Sequence, residues 1–250
     1  MKTTPPGIGL IVIGGEILDG RRTDSHFAFC RDLLNARGLP LAYALFLPDI
    51  PPRIDDHLRW CWAQPEPFIC CGGIGATPDD YTRACAARIA GVALAFHPEG
   101  LRILEQRWGQ ALTEGRRRLV EFPVGSTLIP NPVNQVPGFS LRHGHFVPGF
   151  PEMARPMMTW AIDTYYTSGP DAARHTLLLP GAKESEVTPI MEDIVRKFPD
   201  LSLSSLPRFT ESGGTEVELS LHGLRANVAE GFAELRRHLD AGKFCYEVKG

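Results

Sequence analysis

Three short apolar runs constrain this chain most. Ile8 to Ile13, Leu41 to Leu47 and Phe68 to Cys71 are continuous apolar segments, and each leads through a polar loop toward a segment of helical character. A run without polar alternation suits a strand buried on both faces. From Ser25 to Arg37 the residues Phe27, Cys30, Leu33 and Leu34 recur at helical spacing, and Gly38 stands where a C-terminal cap belongs. Pro51-Pro52 opens a second helix running to Trp62, and the pattern predicts a third over Pro78 to Ala90. The βαβαβα order predicts an α/β fold, a three-layer αβα arrangement around a mostly parallel, doubly wound sheet with right-handed crossovers. Ligands of such sheets sit beyond the carboxyl ends of the strands. The loops starting at Gly14, Pro48 and Gly72 leave from those ends and are expected to converge.

A long helix is expected from Pro98 to about Glu114, then a hairpin over 139 to 148 and a helix from Pro151 to Tyr166. Thr167-Ser-Gly-Pro170 is small, polar and punctuated, as a linker should be. Beyond it the pattern reads as strand 175–179, helix 184–197, strands 201–205 and 215–221, helix 227–239 and a short strand at 244–248. Two domains follow: residues 1–170, and a second, smaller α+β domain over 171–250.

Composition narrows the functional classes. With 43% apolar residues, 22% charged residues and a net charge of -3, the chain carries no bulk basic footprint for nucleic acid. The run Arg116-Arg117-Arg118 reads as a solvated helix end. No window approaches the roughly 18 consecutive apolar residues of a membrane span, and Met1 to Pro6 lacks the pattern of a signal peptide. A cytoplasmic protein with no membrane partner is expected. The six cysteines show no CxxC spacing, so free thiols are expected. His143 and His145 flank Gly144 in the hairpin, where a turn is the simpler reading than a metal pair.

The stretch Cys70-Cys-Gly-Gly-Ile-Gly-Ala-Thr-Pro-Asp-Asp-Tyr-Thr82 carries the chemistry. Gly72, Gly73 and Gly75 follow a strand and precede a helix, so backbone N–H groups can approach an anion without side-chain obstruction. Thr77 reads as an N-cap, Pro78 as the first helical residue, and Asp80 as a capping-box carboxylate. A capped helix alone explains part of this. Adjacent Asp79 and Asp80, however, would repel a phosphate held beside them unless a divalent cation intervened, and a freed carboxylate could position water. Glu16, Asp24 and Asp49 add carboxylates from the other two loops.

These motifs resemble those of the competence/damage-inducible protein A (CinA) family, whose first domain shares the molybdopterin-binding fold of the MoaB and Mog proteins. Gly14-Gly15-Glu16-Ile17-Leu18-Asp19-Gly20 is similar to the family's G-x-E-L-L-x-G, and Asp24-Ser25-His26 to its D-T-N. Pro48-Asp49 resembles its aspartate loop, and Gly72 to Thr82 its G-G-L-G-P-T-x-D-D-x-T. Pro130-Asn131-Pro132-Val133, Pro137-Gly138-Phe139 and Pro148-Gly149-Phe150-Pro151 resemble L-P-N-P-V, A-P-G-F and P-G-V-P. Gly181-Ala-Lys-Glu184-Ser185-Glu186 is similar to the opening of the family's small middle domain. The amidohydrolase domain of full-length members has no counterpart in these 250 residues, so its activity is not expected. The chain departs from the pattern at His26 for Asn, Cys71 for Thr and Ala76 for Pro.

The resemblance implies two activities. One is a metal-dependent pyrophosphatase acting on ADP-ribose or a related nucleoside diphosphate compound. In it the loop Gly72 to Thr77 holds the diphosphate, Asp49, Asp79 and Asp80 position water and a Mg²⁺ or Co²⁺ ion bound at Asp79 and Asp80, and Glu16 and Asp24 orient ribose or metal. The other is binding of molybdopterin, or an adenylylated form of it, without turnover. Gly14, Gly15, Pro148 and Gly149 complete the ligand-binding set in either case. Family relatives also suggest a homo-oligomer, a dimer or trimer.

Overall fold

The computed structural model describes residues 2–210 and 213–249. Its elements, in chain order, begin with β1 (Ile8–Ile13), α1 (Gly15–Leu18), α2 (His26–Asn35), β2 (Leu41–Leu47), α3 (Pro51–Ala63), β3 (Phe68–Cys71), α4 (Thr82–Ala90), β4 (Leu94–Phe96) and α5 (Pro98–Trp108). They continue with α6 (Glu114–Arg117), β5 (Glu121–Pro123), β6 (Thr127–Ile129), β7 (Gly138–Leu141), β8 (Gly144–Val147) and α7 (Pro151–Tyr165). Last come β9 (Ala172–Pro180), α8 (Glu184–Lys197), β10 (Ser202–Phe209), β11 (Thr215–Leu224), α9 (Arg225–Ala241) and β12 (Glu247–Lys249). Two compact units divide the chain, Met1–Gly169 and Pro170–Gly250.

The first unit is the expected three-layer, mostly parallel architecture. Its main sheet has the order β2-β1-β3-β8-β7-β6. β1 is parallel to both β2 and β3, and β3 is parallel to β8, while β7 runs antiparallel to its two neighbours. The apolar runs have the predicted cause: side chains of β1 alternate between two separate cores. Ile11 and Ile13 join Ile54, Leu58 and Cys61 of α3 and Cys85 and Ala86 of α4, whereas Ile8, Leu10 and Val12 join Leu33 and Leu34 of α2 and Met157 and Met158 of α7. Cys70 and Cys71 likewise face opposite layers. All six cysteines are free thiols, and only Cys245 is exposed.

Two expectations are corrected. The third helix begins at Thr82 rather than Pro78, because residues 78–81 form turns with Asp80 N–H donating to the Thr77 carbonyl at 3.0 Å. The long helix from Pro98 stops at Trp108, where Gly109 adopts φ +49° and a short 3-10 turn follows. The hairpin is as expected: His145 lies in β8 and His143 in the turn that joins it antiparallel to β7. The His145 ring is buried, with Nδ1 2.8 Å from Ser140 Oγ and Nε2 2.6 Å from the Tyr166 hydroxyl. The sequence reading also lacked β4, a three-residue strand that pairs antiparallel with β5.

The second unit is a four-stranded antiparallel sheet of order β10-β11-β9-β12. Leu177 and Leu179 of β9 and Val217, Leu219 and Leu221 of β11 share a core with Val187 and Ile194 of α8 and Val228, Leu235 and Leu239 of α9. Among the described residues, no helix is long and apolar enough to cross a membrane.

Candidate functional site

The strand ends bring the loops together. Gly14 N–H donates to the Leu47 carbonyl at 3.0 Å, and Gly15 N–H donates to Asp49 Oδ2 at 2.7 Å, which ties the loop after β1 to the loop after β2. At Gly72, φ is +101° and an added Cβ would lie 2.1 Å from the Ile13 carbonyl oxygen. A Cβ on Gly149 would stand 3.3 Å from the Gly72 Cα. Glycine is therefore required at Gly72, where β1 and β3 deliver their loops to one crevice, and the loop after β8 comes close against it at Gly149.

The loop after β3 is held at both ends. Thr82 is buried; its hydroxyl donates to the Gly72 carbonyl at 3.0 Å and its N–H to the Gly73 carbonyl at the same distance. Arg83 is 7% exposed and donates to the carbonyls of Gly75 at 2.6 Å and Glu121 at 3.0 Å. Burial lowers its pKa, partly offset by the nearby carboxylates of Glu121 and Asp80. Inside the loop, Thr77 donates to Asp80 Oδ2 through its N–H at 2.8 Å and its hydroxyl at 2.5 Å. The capping-box contact thus exists, but in a turn rather than a helix. Asp79 is exposed, and the polar groups beside it, Thr77 first and its own backbone next, hold its carboxyl below the usual range.

On the α2 and α7 side of the sheet lies a cavity of about 290 Å³. Val12, Ile13, Ile17 and Cys71 supply apolar wall, Glu16, Glu152, Arg22, Thr23 and His26 the polar residues, and Gly149, Phe150 and Pro151 the segment after β8. Burial pushes the Cys71 thiol well above its usual pKa, so it is a neutral wall atom. Arg22 N–H donates to the Glu16 carbonyl at 2.9 Å, and its guanidinium carbon is 6.0 Å from the centroid of the Phe150 ring. Among the described residues, no carboxylate forms an ion pair with Arg22.

Asp24 caps α2, accepting from the N–H groups of His26 at 3.0 Å and Phe27 at 2.9 Å. It also lies 2.8 Å from His26 Nδ1. Burial alone would raise the Asp24 pKa, but the donors of Phe27 and His26 outweigh it and hold the carboxyl low.

Of the residues singled out from sequence, the structure lines the cavity with Glu16 and Gly149, and sets Asp24 behind the His26 ring. Gly14, Gly15 and Asp49 shape the adjoining turn, and Pro148 precedes Gly149 at the end of β8. Gly73, Gly75, Thr77, Asp79 and Asp80 belong to the loop after β3 and are not in the cavity wall. Among the described residues, no three His, Cys, Asp or Glu side chains group as a metal site. Arg22, Thr23 and Glu152 escaped sequence reasoning. For Arg22 the signal was its place in the loop between the G-x-E-L-L-x-G-like and D-T-N-like motifs.

Residues 9–200 match the family model for the probable molybdopterin binding domain. The chain belongs to the molybdopterin-binding domain family. The match covers nearly all of the first unit and continues into β9 and α8 of the second. Similar proteins are found in other organisms. One from Pyrobaculum calidifontis is 26% identical over 226 residues, spanning 86% of this chain and 84% of its own. A CinA-like protein from Citrifermentans bemidjiense is 30% identical over 251 residues, covering 95% of this chain, which spans only 59% of that relative's length. The crystal structure of the protein CinA with unknown function from Thermoplasma acidophilum is 25% identical, with a TM-score of 0.57 over 63% of this chain and 96% of that one.

Proposed function

We propose that this protein binds a phosphorylated pterin, molybdopterin or a close relative, in the cavity between β1, α2 and the loop after β8, without hydrolysing it. Membership of the molybdopterin-binding family supports the ligand class. The observation that carries the reading is the cavity itself: an arginine without a carboxylate partner beside an aromatic ring, over an apolar floor. A phosphate suits the Arg22 guanidinium, and a flat heterocycle suits the Phe150 face. At about 290 Å³ the space lies at the small end for ligand sites, which favours one bicyclic ring and a phosphate over a whole dinucleotide.

Hydrolysis of ADP-ribose would need carboxylates free to hold water and metal. Asp49 and Asp80 each commit one oxygen to a local donor, which fits a role in shaping loops. The test is calorimetric titration with neopterin monophosphate as probe, run beside an assay for AMP release from ADP-ribose with Mg²⁺ or Co²⁺. Saturable pterin binding, weakened about tenfold or more in Arg22→Ala, with no AMP release, is the expected result. Metal-dependent AMP release lost in Asp80→Asn would replace this reading with the pyrophosphatase.

A further inference from the structure

His26 is 4% exposed, and its Nε2 has neither a hydrogen-bond partner nor access to water. The described residues contain other orphaned buried side-chain atoms, on Tyr43, Trp62, Arg83 and Ser205, but His26 alone among them lines the cavity. An orphaned polar atom on a residue that lines the cavity calls for a partner.

The identity of that partner follows from the other ring nitrogen. Asp24 Oδ1 is 2.8 Å from Nδ1, and the same carboxylate accepts the N–H groups of His26 and Phe27 at the start of α2. A carboxylate receiving three donors is ionised and can only accept, so the hydrogen on the ring sits at Nδ1. In the neutral imidazole Nε2 is then a bare acceptor. None of the donors that line the cavity, Arg22 and Thr23 among them, bonds it.

We propose that His26 Nε2 accepts a hydrogen bond from an N–H or O–H of the molecule that fills the cavity, with Asp24 fixing the ring so that ligands presenting a donor there are selected. For a pterin that donor is the N–H edge of the heterocycle, while the phosphate meets Arg22. The ligand class rests on the pterin reading given above. The contact itself does not.

The test uses the 250-residue protein labelled with ¹⁵N in its histidine rings, at about pH 8. Neopterin monophosphate is expected to move the His26 Nε2 resonance. His26→Phe should weaken neopterin monophosphate about tenfold or more, leave inorganic phosphate affinity unchanged, and be partly offset in His26→Gln, which restores an acceptor. If ADP-ribose moves the resonance and the pterin does not, the contact stands and the pterin reading falls. Pterin binding with an unmoved Nε2 and unchanged affinity in His26→Phe would overturn the contact and leave the pterin reading standing. No response to either probe overturns both. Should His26→Phe fail to fold, the wild-type resonance decides.

Discussion

Arg83 donates to the carbonyl oxygen of Gly75 at 2.6 Å and to that of Glu121 at 3.0 Å, joining the loop after β3 to the start of β5. A third carbonyl, that of Arg118, lies 2.5 Å from the same guanidinium. The side chain is buried, and its nearest carboxylate oxygen, on Glu121, is 3.8 Å away. Carbonyl dipoles therefore compensate much of the desolvated charge. Lysine cannot reproduce this fork, since its single nitrogen cannot reach carbonyls spread over that span. Arg83→Lys should lower stability by about 2–4 kcal/mol, read as a fall in the urea midpoint at unchanged slope. A fall of less than about 0.5 kcal/mol would show that the clamp contributes little.

Gly72 and Gly20 make a controlled pair, because both have positive φ, at +101° and +76°, but differ in surroundings. A Cβ at Gly72 would be 2.1 Å from the Ile13 carbonyl oxygen, whereas nothing lies within 4 Å of one at Gly20. Alanine at Gly20 bears only the left-handed backbone cost, about 1 kcal/mol. Alanine at Gly72 must also push β1 away from β3, so a loss above about 3 kcal/mol or failure to fold is expected. Similar thermal midpoints for the two variants would mean the loops do not meet as described.

How much of this was legible in the sequence depends on how local its causes are. The bounds of β2 and β3 follow from runs of apolar residues and agree with the structure residue for residue. The start of α4 does not. Thr77, Pro78 and Asp80 are good local signals for a helix start, but long-range ties from Thr82 to Gly72 and from Arg83 to Gly75 set the loop's path, and α4 begins only after it. The convergence of the Gly14, Pro48 and Gly72 loops followed from parallel topology. The cavity did not, because Arg22 and Phe150 are 128 positions apart and neither is unusual alone. His26 was visible as a departure from the D-T-N pattern, and its function as a ring held by Asp24 needed coordinates.

Asp80 offers a smaller test of the same loop. Its Oδ2 receives both the N–H and the hydroxyl of Thr77, and a Cβ on Gly75 would lie 2.5 Å from that oxygen. Asp80→Ala removes the acceptor and should cost about 1 kcal/mol. Asp80→Asn keeps a carbonyl oxygen for the Thr77 N–H and should cost roughly half as much. Thermal midpoints that rank Asn below Ala would contradict this account of the turn.

Stability should fall with acid through His145. Burial, helped by the neighbouring His143, lowers its pKa from 6.5 to about 3. Its ring nitrogens are satisfied by Ser140 and Tyr166, hydroxyl partners that can serve the neutral ring, and Tyr165 stacks on it at 4.8 Å. Because the folded pKa is depressed, the unfolded chain takes up the proton first as pH drops. The contribution is whole above about pH 6.5 and is lost progressively as pH falls toward 3, at up to about 1.4 kcal/mol per pH unit. Between pH 7 and pH 5 the unfolding free energy should fall by about 2 kcal/mol from this residue alone. His145→Gln, which keeps hydrogen-bonding groups but does not titrate, should start less stable at pH 7 and show a correspondingly flatter pH dependence in urea unfolding. An unchanged slope in that variant would place the acid sensitivity elsewhere in the chain.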